Sequence, residues 1–457
     1  MARPTRRLLD MLRADGPLTA RELGAALGVS QPTVSREIGA AGADAVQIGR
    51  GRRTRYAATR EVRGLGSSWP VFRIDAQGRP SEFGRLTALY RAGTLVDASR
   101  PTDWLRDDVV DGLFPGVPWF LDDQRPQGFL GRQFASRWSR ELGLPNDILR
   151  WGDDAVLAAL LLHGEDGPGD FVLGEASLEH ALQAGVDAIP ATQRHRVYDE
   201  LASAALAGEP VGSSAAGEQP KFTATVRDDD GAVRHVIVKF SEPVDSNPAG
   251  RRWGDLLICE HIAGKVMAAH GLSSAATELI HSNGRVCLEV TRFDRIGAHG
   301  RRGCVTLAAW TDAHDGERDD WASATTRMLR NGWVDAGVEA DVRRRWWFGR
   351  LIGNTDMHVG NLCFFLDDAL PLRLTPNYDM LPMMYRPASS GALVPREYAA
   401  AVPTPADMAC WREAATWAAQ FWSEVAVHPD IGADFSAIAR ANGEVLQRAR
   451  HRFDDSV

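Results

Sequence analysis

Residues 351–379, LIGNTDMHVGNLCFFLDDALPLRLTPNYD, restrict this chain more than any other stretch. They read as a helix end, a polar loop carrying Asp356, His358 and Asn361, a strand over 362–366, a hairpin turn, and a second strand ending in Tyr378 and Asp379. One β-hairpin can therefore bring two carboxylates and a carboxamide, carried on two loops, face to face. Oxygen donors of this kind suit a hard cation such as Mg2+. An Asp, an Asn five residues later and another Asp after a hairpin also follow the order used for phosphoryl transfer. There the first Asp orients the attacking hydroxyl, while the Asn and the second Asp hold the metal. The bare spacing is equally compatible with ordinary turn formers, because Asp, Asn and His are common in solvated loops.

At 457 residues the chain exceeds one typical domain, so two or three domains with full cores are expected. No apolar stretch approaches the length of a bilayer-spanning helix, and the N-terminus has no apolar segment behind its charges. The expectation is a cytoplasmic protein with no membrane partner. Cys259, Cys287, Cys304, Cys363 and Cys410 are odd in number, dispersed and never paired as C-x-x-C, which argues against a disulfide framework and a zinc site.

Charge is unevenly spread. The net charge is −8, but residues 1–63 hold twelve Arg against six Asp and Glu, so the head is +6 and the remainder −14. Such asymmetry suggests a nucleic-acid-facing head on an acidic body. Within the head, residues 3–14 pattern as an amphipathic helix. Thr19 is placed to cap a second helix, and Gly-Val-Ser at 28–30 turns into a third, QPTVSREIGAA. Three short helices with Gly at that turn read as helix-turn-helix, with Gln31, Thr33, Ser35 and Arg36 offered to a major groove. Residues 45–58 then read as two strands around an Arg-rich tip, the wing of a winged helix. Arg50, Arg52 and Arg53 there suit phosphate or minor-groove contact. Residues 64–70 read as a linker, and 71–96 alternate like a β-meander.

Only three of the 52 basic residues are lysine: Lys221, Lys239 and Lys265. A chain that uses Arg nearly everywhere has a reason where it does not. In GSSAAGEQPKFTAT, residues 212–225, small residues around Gly217 let the backbone fold closely over phosphates, with Lys221 following within reach of a phosphate oxygen. A hairpin comes next, with its turn at Asp230-Gly231 and Lys239 inside the apolar I-V-K-F. A lysine there is buried without a partner unless it meets a carboxylate and phosphates, as the strand lysine of protein kinases does. Snorkelling at a strand end is the alternative. Lys265 reads as a surface residue.

NTDMHVGN followed by PNYDM resembles the N-x-D-x-H-x-x-N and Y-D motifs of HipA-type serine/threonine kinases, the toxins of bacterial toxin–antitoxin pairs. Other segments from about Val71 onward are similar to the same family. The meander resembles its N-terminal small barrel. GEDGPGDFVLG resembles its G-x-D-x-x-G-A-L stretch, with Asp170-Phe171 departing from the usual small pair. Ser214, Ala216, Gly217, Gln219 and Lys221 match its S-x-A-G-x-Q-x-K loop. The family helix N-E-x-x-x-x-x-L-A-x-x-x-G-L is matched over 253–272, with Cys259 in place of Asn, and this makes Glu260 the partner expected for Lys239. LEVTRFDR resembles a strand whose backbone faces adenine, so that Glu289 and Thr291 stand at the hinge between lobes.

The resemblance implies an α+β, two-lobed HipA/protein-kinase-like fold, here preceded by a winged helix-turn-helix domain. The boundaries expected are 1–63 for the head, 64–208 for the N-terminal subdomain, 209–295 for the lobe with phosphate loop and ATP lysine, and 296–457 for the helical catalytic lobe. It further implies ATP and Mg2+ as cofactors. Asp356, Asn361 and Asp379 would be catalytic, with Asn361 and Asp379 holding the metal. Lys221, Lys239 and Glu260 would lie around the nucleotide, with His358 bracing the loop. Ser214 would be an autophosphorylation site whose dianion repels ATP phosphates, with Ser213 beside it. Family members phosphorylate proteins of the translation apparatus, notably aminoacyl-tRNA synthetases. Typical members leave DNA binding to a separate antitoxin; a kinase carrying its own head looks like the YjjJ-type branch, which leaves an antitoxin partner open. Two other readings fit the residues: a DNA-binding regulator whose kinase fold only senses nucleotide, and a Mg2+-dependent nuclease using Asp356, His358 and Asp379.

Overall fold

The computed structural model describes residues 3–100, 102–105, 110–183, 187–208 and 219–454. The chain forms two compact units, Met1–Arg125 with Ser139–Gln183, and Pro126–Trp138 with Ala184–Val457.

The first unit opens with α1 (Arg3–Asp15), β1 (Leu18–Thr19), α2 (Ala20–Leu27) and α3 (Gln31–Ala41), followed by the hairpin β2 (Ala45–Ile48) and β3 (Arg55–Ala58). Thr19 starts α2 through a reciprocal cap with Glu22, and Gly28 ends it in the left-handed conformation at φ 67°. Leu8, Leu9 and Leu12 of α1 close over Leu23 and Val34, and the three strands pair in the order β1–β3–β2. A second sheet follows. Its strands are β4 (Ser68–Ile74), β5 (Pro80–Ala88), β6 (Thr94–Ala98), β7 (Leu113–Phe114) and β8 (Phe171–Leu173), in the order β7–β6–β5–β4–β8. Helices α4 (Trp119–Asp122), α5 (Gly128–Leu142) and α6 (Asp153–His163) precede β8 in the chain, and α7 (Glu175–Gln183) follows it. Asp170, the departure from the small pair, is used structurally: its carboxylate pairs with Arg73 of β4 at 2.8 Å, and its carbonyl accepts from Ile74.

Residues 64–70 are not a loose linker. Val62 donates to the carbonyl of Gly66 at 2.9 Å, and the Trp69 indole donates to that of Leu65 at 2.7 Å. Ile48 and Ala57 of the β2–β3 hairpin share a buried cluster with Leu89 and Leu95. The change of charge at residue 63 is therefore a change of surface and not a break in packing. Removal of residues 1–63 should uncover Leu89 and Leu95 and lower the stability of the first unit by roughly 3 kcal/mol. An earlier urea midpoint with stronger binding of a hydrophobic dye is the expected measurement.

The second unit contains β9 (Ile189–Pro190), α8 (Arg194–Ala207), β10 (Lys221–Arg227), β11 (Val233–Phe240), α9 (Pro248–Ala269), β12 (Thr277–Ser282) and β13 (Arg285–Thr291). Its five-stranded sheet runs β12–β13–β11–β10–β9. Gly231, at φ 85°, makes the β10–β11 turn. Alternation gives the sheet two faces. Phe222, Val226, Val236, Val238 and Phe240 pack on Tyr198 and Ala202 of α8, while Lys221, Lys239 and Leu288 point the other way.

The short ribbon β14 (Arg295–Ile296) and β15 (Gly300–Arg301) leads to β16 (Cys304–Thr306), α10 (Leu307–His314), α11 (Trp321–Arg330) and α12 (Ala336–Leu351). After these come β17 (Cys363–Phe365) and β18 (Arg373–Leu374), paired β16–β17–β18, and the closing helices α13 (Met408–Val427) and α14 (Ala433–Asp454). β18 is only two residues long: the Leu372 N–H before it donates to the Trp333 carbonyl and not to β17. No helix among the described residues is long and apolar enough to cross a membrane.

One buried group on α9 makes this unit pH-sensitive. Asp255 is 2% exposed and accepts from the Gly432 N–H at 2.8 Å, and burial pushes its carboxyl up to about 6 despite nearby Arg252 and Arg251. A folded value above the ordinary 3.8 means that the native state holds the proton more tightly. Its contribution is thus fully present below about pH 4 and lost as pH rises through 6, a swing on the order of 2–3 kcal/mol. Asp255→Asn, which can still accept from Gly432, should flatten that slope and raise stability at pH 8 in urea titrations.

Candidate active site

The register of β10 against β11 sets Lys221 directly opposite Lys239, on one face of the sheet. Like charges in that relation repel and call for anions in front of them. Lys239 is 6% exposed, and its ammonium donates to both oxygens of Glu260 on α9 at 2.6 and 2.7 Å and to Asp379. Asp379 is itself held by Glu260, whose Oε1 accepts its backbone N–H at 3.1 Å. Asp379 sits at φ 54°, a left-handed conformation that costs a non-glycine residue about 1 kcal/mol or more and persists where surroundings enforce it.

The electrostatics follow from this contact. Burial works against the charged form of Lys239, but Asp379 and Glu260 outweigh it and hold the ammonium protonated, above its ordinary range. Asp379 is pushed up by burial and pulled further down by Lys239 and Lys221, so its carboxyl lies below the usual range. Glu260, the more enclosed of the two, is raised by burial in spite of Lys239. The site is therefore a cation held between two carboxylates, with the Asp379 carboxyl lowered and the Glu260 carboxyl raised by their surroundings.

Asn354 joins the Asp356 loop to Asp379. This buried carboxamide accepts from the Asp356 N–H at 3.0 Å and donates to the carbonyl of Asp379 at 3.3 Å. Gly349 on α12 permits the same convergence: a Cβ there would fall 2.4 Å from the sulfur of Met357 and 3.0 Å from that of Met380, one residue beyond each acid. Asn361 donates to the Asp356 carbonyl at 2.9 Å. Only its NH2 can make that bond, so its Oδ1 is the atom left for a cation. Among the described residues the Asp356 carboxylate makes no side-chain hydrogen bond; only the backbone of this residue is tied.

His358 is tied into its loop at both its ring and its backbone. Its Nδ1 accepts from the Gly360 N–H at 3.1 Å, which assigns the proton of the neutral ring to Nε2, and its carbonyl accepts from the Trp321 indole at 3.0 Å. Gln219 donates to the Phe240 carbonyl at 2.7 Å, which ties residue 219 to the end of β11. Ser213, Ser214, Ala216 and Gly217 lie outside the described residues.

The hinge expectation is corrected for two side chains. Glu289 and Thr291 have the parity of Val238 and Val236, opposite to Lys239, and their side chains face away from it. Glu289, 1% exposed, accepts from Tyr198 at 2.5 Å, Arg194 at 3.0 Å and Arg234 at 2.8 Å, and Thr291 accepts from Arg234 at 3.2 Å. This buried ion network leaves the strand backbone and the Val290 side chain to line the other face. Two contributors were not singled out from sequence: Asn354, although it stands inside the quoted motif, and Arg345, which is buried and donates to the carbonyls of Thr375 and Ser273.

In the head, Gln31, Ser35 and Arg36 are exposed along α3, and Thr33 is half-buried within 3.0 Å of the Ser30 hydroxyl. Arg50, Arg52 and Arg53 are exposed at the hairpin tip.

Comparison with known proteins gives this geometry its family. Residues 213–452 match the HipA-like C-terminal domain, and residues 65–182 match the middle domain of YjjJ-like toxins. Toxin YjjJ of Escherichia coli K12 is 37% identical over 447 residues, covering 97% of this chain and 98% of that protein. The chain belongs to the HipA-like toxin family, in its YjjJ branch. Among solved structures, HipA of Shewanella oneidensis MR-1, determined with HipB and its operator DNA, matches with a TM-score of 0.56 at 16% identity over 85% of this chain and 98% of that one. The Helicobacter pylori proinflammatory kinase CtkA matches at a TM-score of 0.36 and 12% identity, over 54% of this chain and 95% of that one. The HipA match concerns the fold, which mixes helix and sheet as expected for this family.

Proposed function

We propose that this HipA-like toxin is an ATP- and Mg2+-dependent serine/threonine protein kinase. The observation that carries the reading is the contact of Lys239 with both Glu260 and Asp379, on a segment that Asn354 ties to Asp356. The donor set fits the cofactors: an ionised carboxylate and a carboxamide oxygen for a hard cation, and two lysines on one sheet face for phosphates. Asn361 and Asp379 would hold Mg2+, which when bound supplies electrostatic stabilisation of the transferred group. Asp356 orients a Ser or Thr hydroxyl and accepts its proton. Glu260 keeps the Lys239 ammonium in place, and Lys239 with Lys221 offsets phosphate charge.

The protein substrate we infer belongs to the translation apparatus, an aminoacyl-tRNA synthetase being the candidate, and Ser214 is the proposed site of autophosphorylation. The first fifty-eight residues support a winged helix-turn-helix that binds DNA through Gln31, Thr33, Ser35 and Arg36 of α3 and Arg50, Arg52 and Arg53 of the wing. A separate antitoxin and a cytoplasmic site of action belong to the same proposal.

ATP labelled at the γ-phosphate tests it. Label transferred to the protein or to a synthetase by wild type, and absent in Asp356→Ala, supports the kinase. ATP binding without transfer would leave the nucleotide-sensing regulator. Metal-dependent strand cleavage without ATP, lost in the same variant, would replace it with the nuclease.

A further inference from the structure

We propose that His163, Glu165 and His180 form a binding site for a borderline transition-metal ion of the Zn2+ class, in the first unit and separate from the candidate active site. Each of the three offers one ligand atom, and those atoms lie within 4.8 Å of one another. Two imidazoles and a carboxylate are a donor set that suits Zn2+, Co2+ or Ni2+ and not Mg2+ or Ca2+, which take oxygen. The cysteine spacing argues against a zinc site built on thiolates; here the donors are histidines, and only the packing of α6 on α7 reveals them.

The placement of the three donors is held by the fold. His163 ends α6, Glu165 follows in the turn, and His180 stands on α7, with the two rings 13° from parallel and 6.1 Å apart. Ser177, one turn before His180 on α7, accepts from the Gly164 N–H at 2.8 Å and donates to the Leu160 carbonyl at 2.7 Å. That hydroxyl pins the end of α6, and the residue between His163 and Glu165, to the helix that carries His180. Gly164 has no room for a side chain, since a Cβ would lie 2.5 Å from the Leu160 carbonyl oxygen. Around the donors, Glu165 lies 3.8 Å from Nδ1 of His180, and Glu141 lies 3.1 Å from Nε2 of His163. The second carboxylate stands where it can orient the His163 ring, the relation by which acids commonly support a metal-bound imidazole. Two carboxylates also offset the charge of a dication, leaving the bound site near neutral.

The test uses the full-length protein, stripped with a chelator and exchanged into chelator-free buffer. It is titrated with ZnCl2 by calorimetry and with CoCl2 by visible absorption. One equivalent of Zn2+ with a Kd of about 1 μM or tighter, and a Co2+ form with ligand-field bands, are expected. His180 is exposed, so His180→Ala should leave the fold intact while weakening that equivalent at least about tenfold, and Glu165→Gln should do the same. Asp379→Asn should leave it unchanged. No bound equivalent in wild type, binding that survives both His180→Ala and Glu165→Gln, or binding lost in Asp379→Asn would each overturn the proposal.

Discussion

Asp356→Ala should abolish phosphoryl transfer while leaving the protein folded. The two halves of that result have separate causes. A positioned base contributes about 10²–10⁴ in rate, so kcat is expected to fall by that factor. Stability should change by no more than about 0.5 kcal/mol, because among the described residues no side-chain hydrogen bond depends on this carboxylate. The loop keeps its shape through the backbone: Asn354 still receives the residue-356 N–H, and Asn361 still donates to its carbonyl. Single-turnover transfer of labelled phosphate, read beside a urea melt, checks both halves. A variant that transfers phosphate within tenfold of wild type would remove Asp356 from the chemistry. A variant that unfolds would show that the loop leans on the carboxylate.

Lys239→Met is expected to fail on both counts. It removes the cation that Glu260 and Asp379 share and leaves the buried Glu260 carboxylate facing the half-buried one of Asp379. Breaking a buried pair in this way costs about 3–5 kcal/mol at neutral pH. The loss should depend on pH, with a sign that follows from the wild-type shifts. Asp379 has a folded value below the ordinary one, so its contribution is present above the unfolded value near 4 and lost as pH falls through the lower folded value. In the variant the carboxylates can relieve their repulsion only by taking up a proton. The deficit should then be larger at pH 8 than at pH 5, and equilibrium unfolding at the two values measures it. Transfer activity should fall by about 10²–10³ as well, the usual effect of removing one preorganised electrostatic contact. Equal deficits at the two pH values would show that Glu260 and Asp379 do not rely on this lysine for their charge.

Much of the site could be read in the sequence because its residue types are unusual where they stand. Lys239 sits in an apolar strand in a chain that otherwise uses arginine, so burial with a charged partner was the economical reading, and Glu260 and Asp379 are the partners found. Thr19 likewise marked the start of α2, since a local cap needs only local residues, and the structure adds Glu22 as its reciprocal partner. The failures are of a different kind. Residues 64–70 look like a linker in composition, yet Leu89 and Leu95 reach back to Ile48 and Ala57, and no local pattern records which apolar groups meet across forty residues. Glu289 and Thr291 lie in a strand that resembles a hinge, but they have the opposite parity to Lys239. Parity becomes an orientation only when the register against Val238 and Val236 is known.

What the sequence determined by itself was the inventory of donors and their order along the chain, because these depend on residue identity and on turns set by neighbours. The tertiary structure decided which of those donors share a face. It turned Glu289 toward Arg194 and Arg234, joined Asp356 to Asp379 through Asn354, and set His163 beside His180 across two helices. Each of these depends on strand register or on helix packing. Both are settled by which apolar surfaces can be buried together, a property of the whole core that no single stretch of residues carries.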